Sequence, residues 1–66
     1  MTKREFDRLR AGDFVTNKED EIFKIDMDYV FGLPTQVFSA VLQREGKYHS
    51  IRVNKGNFQF YEIIFP

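Results

Sequence analysis

The sequence has no cysteine and no tryptophan, and it has only one histidine among its 66 residues. The lack of cysteine excludes disulfide bonds and thiolate metal sites, and it is typical of a reducing compartment, so we expect a cytoplasmic protein. No run of residues approaches the about 18 consecutive apolar residues of a membrane-spanning helix, and no apolar signal core follows the N-terminus. We therefore expect one small domain without a membrane segment, a cofactor or a bound metal.

Neither sign of charge is in excess, because ten Lys and Arg residues balance ten Asp and Glu residues. The charges are unevenly placed: residues 13–28 hold six acidic residues against two lysines, whereas residues 29–66 hold four basic residues against two acidic ones. A dedicated nucleic-acid-binding protein usually has a clear basic excess. The composition therefore favours a protein partner over nucleic acid.

Aromatic residues are abundant, and they have to supply most of a thin core. A chain of this length buries only about 60% of the surface of its unfolded form. Eight phenylalanines and three tyrosines each bury a large apolar area, which compensates for the short length of the chain.

The first residues match the pattern of a short capped helix. Thr2 and Glu5 have the spacing of a capping box, in which each side chain bonds to the backbone N–H of the other residue. Gly12 is suited to the left-handed conformation that ends many helices. The pattern predicts a helix over residues 3–10 with Phe6 and Leu9 as its apolar stripe. So short a helix needs a surface to pack against, and the sequence leaves open whether residues 1–11 dock or form a frayed arm.

Strands are predicted over residues 13–17, 22–31, 36–44, 47–54 and 57–65. Residues 22–31 alternate between apolar and polar side chains, which is the period of a half-buried strand. Three tight turns connect the last four strands, namely residues 32–35, the Glu45-Gly46 pair and the Lys55-Gly56 pair. These turns predict an antiparallel meander that curls until its first and last strands meet, so that the edges largely vanish.

The turns also predict which residues face one another, and they place the apolar side chains on one common face. A slip of one residue in any hairpin would turn the apolar set of a strand to the wrong side. The first turn pairs Phe31 with Gln36, Tyr29 with Phe38, Met27 with Ala40 and Ile25 with Leu42. The second turn pairs Leu42 with His49, Ala40 with Ile51 and Phe38 with Val53. The third turn pairs Val53 with Phe58, Ile51 with Phe60 and His49 with Glu62.

The same register leaves a partly apolar outer face, formed by Val41, Tyr48, Tyr61, Ile63 and Phe65. Apolar patches on a surface often mark binding sites, and tyrosine and arginine are enriched in binding hot spots. The predicted contact surface for a protein partner, or for a second copy of the chain, is formed by Tyr48, Arg52, Tyr61 and Ile63. Two alternatives stay open: the helix covers this face, or the last strand bends and turns it inward.

A set of basic residues near Tyr48 suggests a different partner. The cations are Arg44, Lys47, Arg52 and Lys55, at the tips of two predicted hairpins. Cations around stacking aromatic rings are how small barrels bind single-stranded nucleic acid. Cations near hairpin tips are also an ordinary feature of a solvated surface, so binding of RNA or DNA is the alternative function.

The sequence contains few candidate catalytic residues. His49 is the single histidine, and Glu62 is its predicted neighbour across the last hairpin. No cysteine, nucleophile motif or metal-ligand spacing accompanies this pair. We expect a non-enzymatic protein in which His49 lies at the rim of the core.

A Gly-Asp pair stands between a hydrophobic residue and a strand that ends in valine, in the segment formed by Leu9, Arg10, Ala11, Gly12, Asp13, Phe14 and Val15. This opening, followed by a loop and four strands, resembles that of many SH3-like small barrels. The strand pattern and this resemblance together predict a mainly-β fold, a five-stranded antiparallel SH3-like barrel over residues 12–66, preceded by residues 1–11 with the short helix that the capping pattern predicts. Barrels of this kind, which include Tudor-like and ribosomal-type modules, mostly bind peptides, proteins or RNA and are seldom enzymes alone.

The function expected from the sequence is therefore that of a non-enzymatic binding module for another protein. A small bacterial or phage accessory protein would have this size and composition. Because this fold is used for many purposes, the resemblance assigns no functional residue.

Overall fold

A computed structural model of the protein describes the backbone of residues 1–31 and 35–64, and it describes their side chains except at residues 27–31, 35 and 36. The elements are helix α1 (Lys3–Asp7), strands β1 (Phe14–Thr16), β2 (Ile22–Phe31), β3 (Thr35–Leu42) and β4 (Ser50–Asn54), a 3-10 helix (Phe58–Phe60) and strand β5 (Glu62–Ile64). Among the described residues, neither helix has the length and hydrophobicity needed to cross a bilayer.

The five strands form one antiparallel sheet in the order β4-β3-β2-β1-β5. This confirms the predicted mainly-β class with five antiparallel strands and a short N-terminal helix. Val15 of β1 pairs with Ile63 of β5, so the first and last strands meet as predicted, whereas closure of the sheet into a barrel without free edges stays a prediction. Within the described residues the order has β4 at one end of the sheet and β5 at the other.

The hairpin between β3 and β4 has the predicted register. Ala40 pairs with Ile51 and Phe38 pairs with Val53. The Glu45-Gly46 turn is closed by a bridge between Arg44 and Lys47, and Gly46 has a φ of +78°, which suits glycine. The agreement follows from the locality of the hairpin, since a two-residue turn and the alternation of its flanking strands determine the register together.

The predicted register between β2 and β3 is wrong. Ile25 pairs with Ala40 instead of Leu42. Beyond an irregularity between Ile25 and Met27 the register shifts by one residue, so that Asp28 instead of Tyr29 is opposite Phe38. The change at Ile25/Met27 is a β-bulge, which adds a residue to one strand and changes the face of the positions beyond it, and next to the turn Phe31 pairs with Thr35 instead of Gln36. The predicted turn falls largely on residues 32–34, which lie outside the described residues, and Thr35 already belongs to β3 opposite Phe31.

The bulge lies where a second segment of chain bonds to β2. The N–H of Ile25 donates to the carbonyl of Asp13 (2.8 Å), and the N–H of Gly12 donates to the carbonyl of Ile25 (2.7 Å). Gly12 has a φ of +99°, as expected for a left-handed position, but it does not end the helix. Helix α1 already ends with Arg8 as its C-cap, so Gly12 serves the turn into β1.

The predicted last hairpin is absent. After β4 the Lys55-Gly56 pair leads into the 3-10 helix, and the chain then crosses to β1, where Glu62 pairs with Thr16 instead of facing His49. The side chain of Asn57 explains the difference, because it bonds to the backbone of Arg52 and Asn54 where a hairpin partner would lie. Asparagine side chains commonly compete with ladder bonds in this way.

The core combines residues from the helix and from the sheet, and its buried members are Phe6, Leu9, Val15, Phe23, Ile25, Phe38, Ala40, Leu42 and Val53. The predicted inner face contains the buried members from β2, β3 and β4, namely Phe23, Ile25, Phe38, Ala40, Leu42 and Val53. The predicted inward orientation of His49 and Phe60 is wrong, because both are exposed. Ile51 and Phe58 are half-buried and pack against the cluster.

Helix α1 docks on the sheet. The rings of Phe6 and Phe58 stack with centroids 5.0 Å apart, and Phe6 meets Phe38 edge to face at 5.4 Å. Phe6 and Leu9 are each only 2% exposed. Residues 1–9 are therefore part of the packed structure, although the helix itself is shorter than predicted.

The predicted capping box of α1 is confirmed. The N–H of Glu5 donates to the hydroxyl of Thr2 (3.2 Å), and the N–H of Thr2 donates to the carboxylate of Glu5 (2.8 Å). The bond from the Thr2 backbone N–H holds the pKa of the Glu5 carboxyl below its ordinary value of 4.5.

This cap makes the start of the helix sensitive to acid. Because the folded-state pKa of Glu5 is lowered, the contribution of the cap is present above pH 4.5 and is lost as the pH falls through the lowered pKa. We expect the amide shift of Thr2, followed by NMR, to titrate with a midpoint below 4.5. In Glu5→Gln, whose amide oxygen can still accept the bond, this titration should disappear. A midpoint at or above the ordinary value would contradict the cap.

Candidate functional site

The loop between β1 and β2 is held in shape by one side chain. The Oδ1 atom of Asn17 accepts from the N–H groups of Glu19 and Glu21, both at 3.0 Å, and its Nδ2 atom donates to the Glu21 carboxylate at 2.9 Å. The backbone N–H of Asn17 also donates to the Glu21 carbonyl (3.2 Å). Local bonding of this kind is typical of asparagine turns, and it fixes the acidic loop in one position.

The 3-10 helix faces this loop and presents an aromatic ring. Phe60 is 51% exposed, and the ammonium group of Lys18 lies 5.7 Å from the centre of its ring. The helix is closed by bonds from the N–H of Phe60 to the Asn57 carbonyl (3.0 Å) and from Tyr61 to Phe58 (3.1 Å). Phe60 is thus held at the surface by backbone geometry, with a cation on its face.

Two adjoining depressions lie between the loop and the 3-10 helix, each of about 260 Å³. We call this surface the Phe60 groove, and its lining residues are Thr16, Asn17, Lys18, Glu19, Asp20, Gln59, Phe60, Tyr61 and Glu62. Cavities that bind cofactors or drug-sized molecules usually measure about 300–1,000 Å³. Each depression is better matched in size to a side chain of a partner.

The Phe60 groove has a negative rim. Glu19, Asp20 and Glu62 are exposed carboxylates, and Lys18 is the cation among the lining residues. The field of such a cluster attracts cations and repels anions, an effect that salt weakens. The groove is therefore electrostatically suited to a basic ligand.

A third depression lies elsewhere, beside Met1, and has a volume of about 360 Å³. Two of its polar groups are engaged, because the Glu5 carboxylate accepts from the Thr2 N–H and the Met1 amino group donates to the carbonyls of Phe58 and Tyr61, and its third charged residue, Glu62, also lines the Phe60 groove. We regard it as a structural gap beside the helix.

The four residues of the predicted contact surface differ in their exposure to solvent. Tyr48 is 79% exposed and Arg52 is exposed on β4. Tyr61 and Ile63 are half-buried and pack against the core cluster, because the chain bends towards β1 after the 3-10 helix. Tyr61 also lines the Phe60 groove. The hairpin register that put Tyr61 on the same outer face as Arg52 does not occur, and Phe65 lies outside the described residues.

The basic residues of the alternative function lie along β4 and its turns. Arg44 and Lys47 flank the turn before β4, Arg52 lies within the strand, and Lys55 lies in the turn after it. All four are exposed. Charged side chains at the end strand of a sheet also protect it from edge-to-edge association, so their placement has a structural explanation.

The predicted pair of His49 and Glu62 is not formed. His49 is exposed and its ring lies 6.4 Å from that of Phe23, whereas Glu62 pairs with Thr16. In the part of the chain that the structure describes, no three His, Asp or Glu side chains converge on a possible metal position.

Phe60 and the loop were missed by the reasoning from sequence, because the third hairpin assigned Phe60 to the core. The signal that could have found them is the pair Asn54 and Asn57 around Lys55-Gly56, since asparagine favours side-chain-bonded turns over ladders.

Comparisons of the chain with protein-family models, with curated proteins and with solved structures found no match. The geometry therefore carries the functional argument.

Proposed function

We propose that this protein is a non-enzymatic protein-binding module that binds an extended basic segment of its partner in the Phe60 groove. The observation that carries this proposal is the half-exposed ring of Phe60 at the junction of two depressions with an acidic rim.

We also propose that the fold is an SH3-like small barrel. It is supported by the single antiparallel sheet in which β5 returns to β1, and it agrees with a binding role by analogy only.

An exposed phenylalanine in a groove is suited to anchor a partner. Aromatic rings dominate binding hot spots because one ring removes a large apolar area from water at little cost in side-chain entropy. The backbone bonds of the 3-10 helix hold Phe60 in place before binding, and Asn17 does the same for the facing loop. Such preorganisation lowers the entropic cost of association.

The contact between Lys18 and Phe60 indicates the charge of the partner. A cation is attracted to the face of an aromatic ring by about 0.5–1 kcal/mol at an exposed site. A lysine or arginine of the partner could make the same contact while lying near Glu19, Asp20 and Glu62. A basic partner segment therefore complements both the ring and the rim.

The proposal is tested by screening the purified chain against an array of short synthetic peptides that vary in lysine, arginine and hydrophobic content. Basic peptides should bind, and in an NMR titration their contacts should shift the amides of residues 17–20 and 59–62. Phe60→Ala should weaken binding about tenfold or more. Phe14→Ala is the matched control, since Phe14 is also exposed and carries Lys24 at 5.8 Å from its ring, but lies outside the groove.

Two results would contradict the proposal: acidic peptides that bind as well as basic ones, or equal loss of binding in Phe14→Ala and Phe60→Ala.

The same titration with a single-stranded oligonucleotide at moderate salt tests the alternative function. We expect the amides of residues 44–55 to stay unmoved. Salt-sensitive shifts there would instead favour nucleic-acid binding through Arg44, Lys47, Arg52 and Lys55. Exposed Tyr48 would in that case be the candidate for base stacking.

A further inference from the structure

Strand β4 lies at one end of the sheet order, so one side of its backbone has no strand partner in the described sheet. The N–H of Leu42 donates to the carbonyl of His49 (2.8 Å), which determines the phase of the β3–β4 ladder. Bonded and non-bonded pairs alternate in an antiparallel ladder. The backbone groups of Ile51 and Val53 therefore point to β3, and those of Ser50, Arg52 and Asn54 point away from it.

The side-chain amide of Asn57 bonds to two of these outward-pointing groups. Its Nδ2 atom donates to the carbonyl of Arg52 at 2.8 Å, and its Oδ1 atom accepts from the N–H of Asn54 at 2.8 Å. One donor and one acceptor are thus supplied to β4 as a neighbouring strand would supply them. The turn that carries Asn57 is itself fixed, because Asn54 Oδ1 accepts from the Gly56 N–H at 2.8 Å.

We propose that Asn57 acts as a strand substitute that closes the outer edge of β4 and prevents this edge from pairing with a second copy of the chain. Unpaired strand edges are templates for association, and proteins protect them by occupying or charging them. Both kinds of protection, occupied backbone groups and a charged side chain, act on β4. Asn57 occupies the Arg52 carbonyl and the Asn54 N–H, and an antiparallel self-pairing centred on Arg52 would bring two guanidinium groups opposite each other.

The contributions of the Asn57 amide and of the Arg52 charge can be tested separately. Removal of the Asn57 amide frees the backbone groups but leaves the charge of Arg52, whereas removal of the charge leaves the edge occupied. Self-association through β4 should therefore require both changes. This expectation distinguishes an edge closed by hydrogen bonds from one that is protected by charge alone.

The experiment compares the wild type with Asn57→Ala, Arg52→Thr and the double variant by sedimentation velocity over a range of concentrations. The double variant should self-associate, and Arg52→Thr should behave like the wild type. Amide exchange of Asn54 should be about fivefold faster in Asn57→Ala than in the wild type, because the hydrogen bond from the Asn54 N–H to the Asn57 side chain is lost. Lys55→Ala is the matched control in the same turn and should change neither measurement.

The proposal is overturned if the double variant sediments like the wild type, or if Arg52→Thr alone associates as strongly as the double variant. It is also overturned if the Asn54 amide exchanges equally fast with and without the Asn57 side chain. Should Asn57→Ala fail to fold, Asn57→Asp serves in its place. Its carboxylate still accepts from Asn54 but cannot donate to Arg52, so Asn54 exchange should be unchanged and sedimentation decides: Asn57→Asp combined with Arg52→Thr should self-associate, and wild-type behaviour of this double variant would overturn the proposal.

Discussion

Replacing Phe38 with alanine is expected to lower the free energy of unfolding by about 3–5 kcal/mol. Phe38 has no exposed surface, lies on β3 within the sheet and contacts the ring of Phe6 at 5.4 Å. The loss combines the transfer free energy of the ring with the cost of the cavity that it leaves. A single domain of this size rarely has more than about 3–5 kcal/mol from its core, so the variant should be largely unfolded.

Urea denaturation followed by circular dichroism measures this effect. Tyr48→Ala is the control, because it removes an aromatic ring that is 79% exposed, and it should change the free energy of unfolding by less than about 0.5 kcal/mol. If Phe38→Ala unfolded at nearly the wild-type urea concentration, Phe38 would not be central to the core and the sheet register would need revision.

Phe6→Ala is expected to have the second largest effect, a loss of about 3 kcal/mol or more. Its ring is 2% exposed and joins the helix to two other parts of the chain, through the stacked ring of Phe58 at 5.0 Å and the edge contact with Phe38. Because α1 spans only Lys3–Asp7, it cannot persist without this packing. The helix and its capping box should therefore be lost together with the ring.

A double-mutant cycle with Phe58→Ala isolates the stacking contact, and we expect a coupling free energy of about 0.5–1.5 kcal/mol. Arg4→Ala is the matched control on the same helix, since Arg4 is exposed and alanine is a good helix former. An unchanged urea midpoint in Phe6→Ala would mean that residues 1–9 are a frayed arm in solution.

The parts of the fold that could be predicted are those governed by neighbours in sequence. Thr2 and Glu5 form their capping box because both partners lie within one helical turn. Phe38 and Val53 face each other because the Glu45-Gly46 turn separates strands with clear alternation. Phe23 and Ile25 are buried, as their period of two predicts.

The errors arise where distant segments compete with these local patterns. The backbone of Ile25 bonds to Gly12 and Asp13, which is a contact between separate elements, and the bulge that follows changes the pairing of β2 and β3. Lys55-Gly56 is, like Glu45-Gly46, a charged residue followed by glycine, but here Asn57 occupies the edge of β4. The last strand then pairs with β1 instead.

The candidate site follows from these distant contacts, and for that reason it was not predicted as a site. Phe60 is exposed because the chain enters a 3-10 helix where a strand was expected. The acidic residues between β1 and β2 are evident in the sequence, but the position of their loop opposite Phe60 depends on the crossing of β5 to β1.

The amino-acid sequence by itself determined the mainly-β class, the capped helix, the inner face of β3 and the turn after it, because each depends on residues a few positions apart. The tertiary structure decided the bulge in β2, the destination of β5 and the exposure of Phe60. These features depend on which backbone groups are hydrogen-bonded to partners distant in the chain, and at the end of β4 the side-chain amide of Asn57 bonds to backbone groups that a strand partner would otherwise occupy.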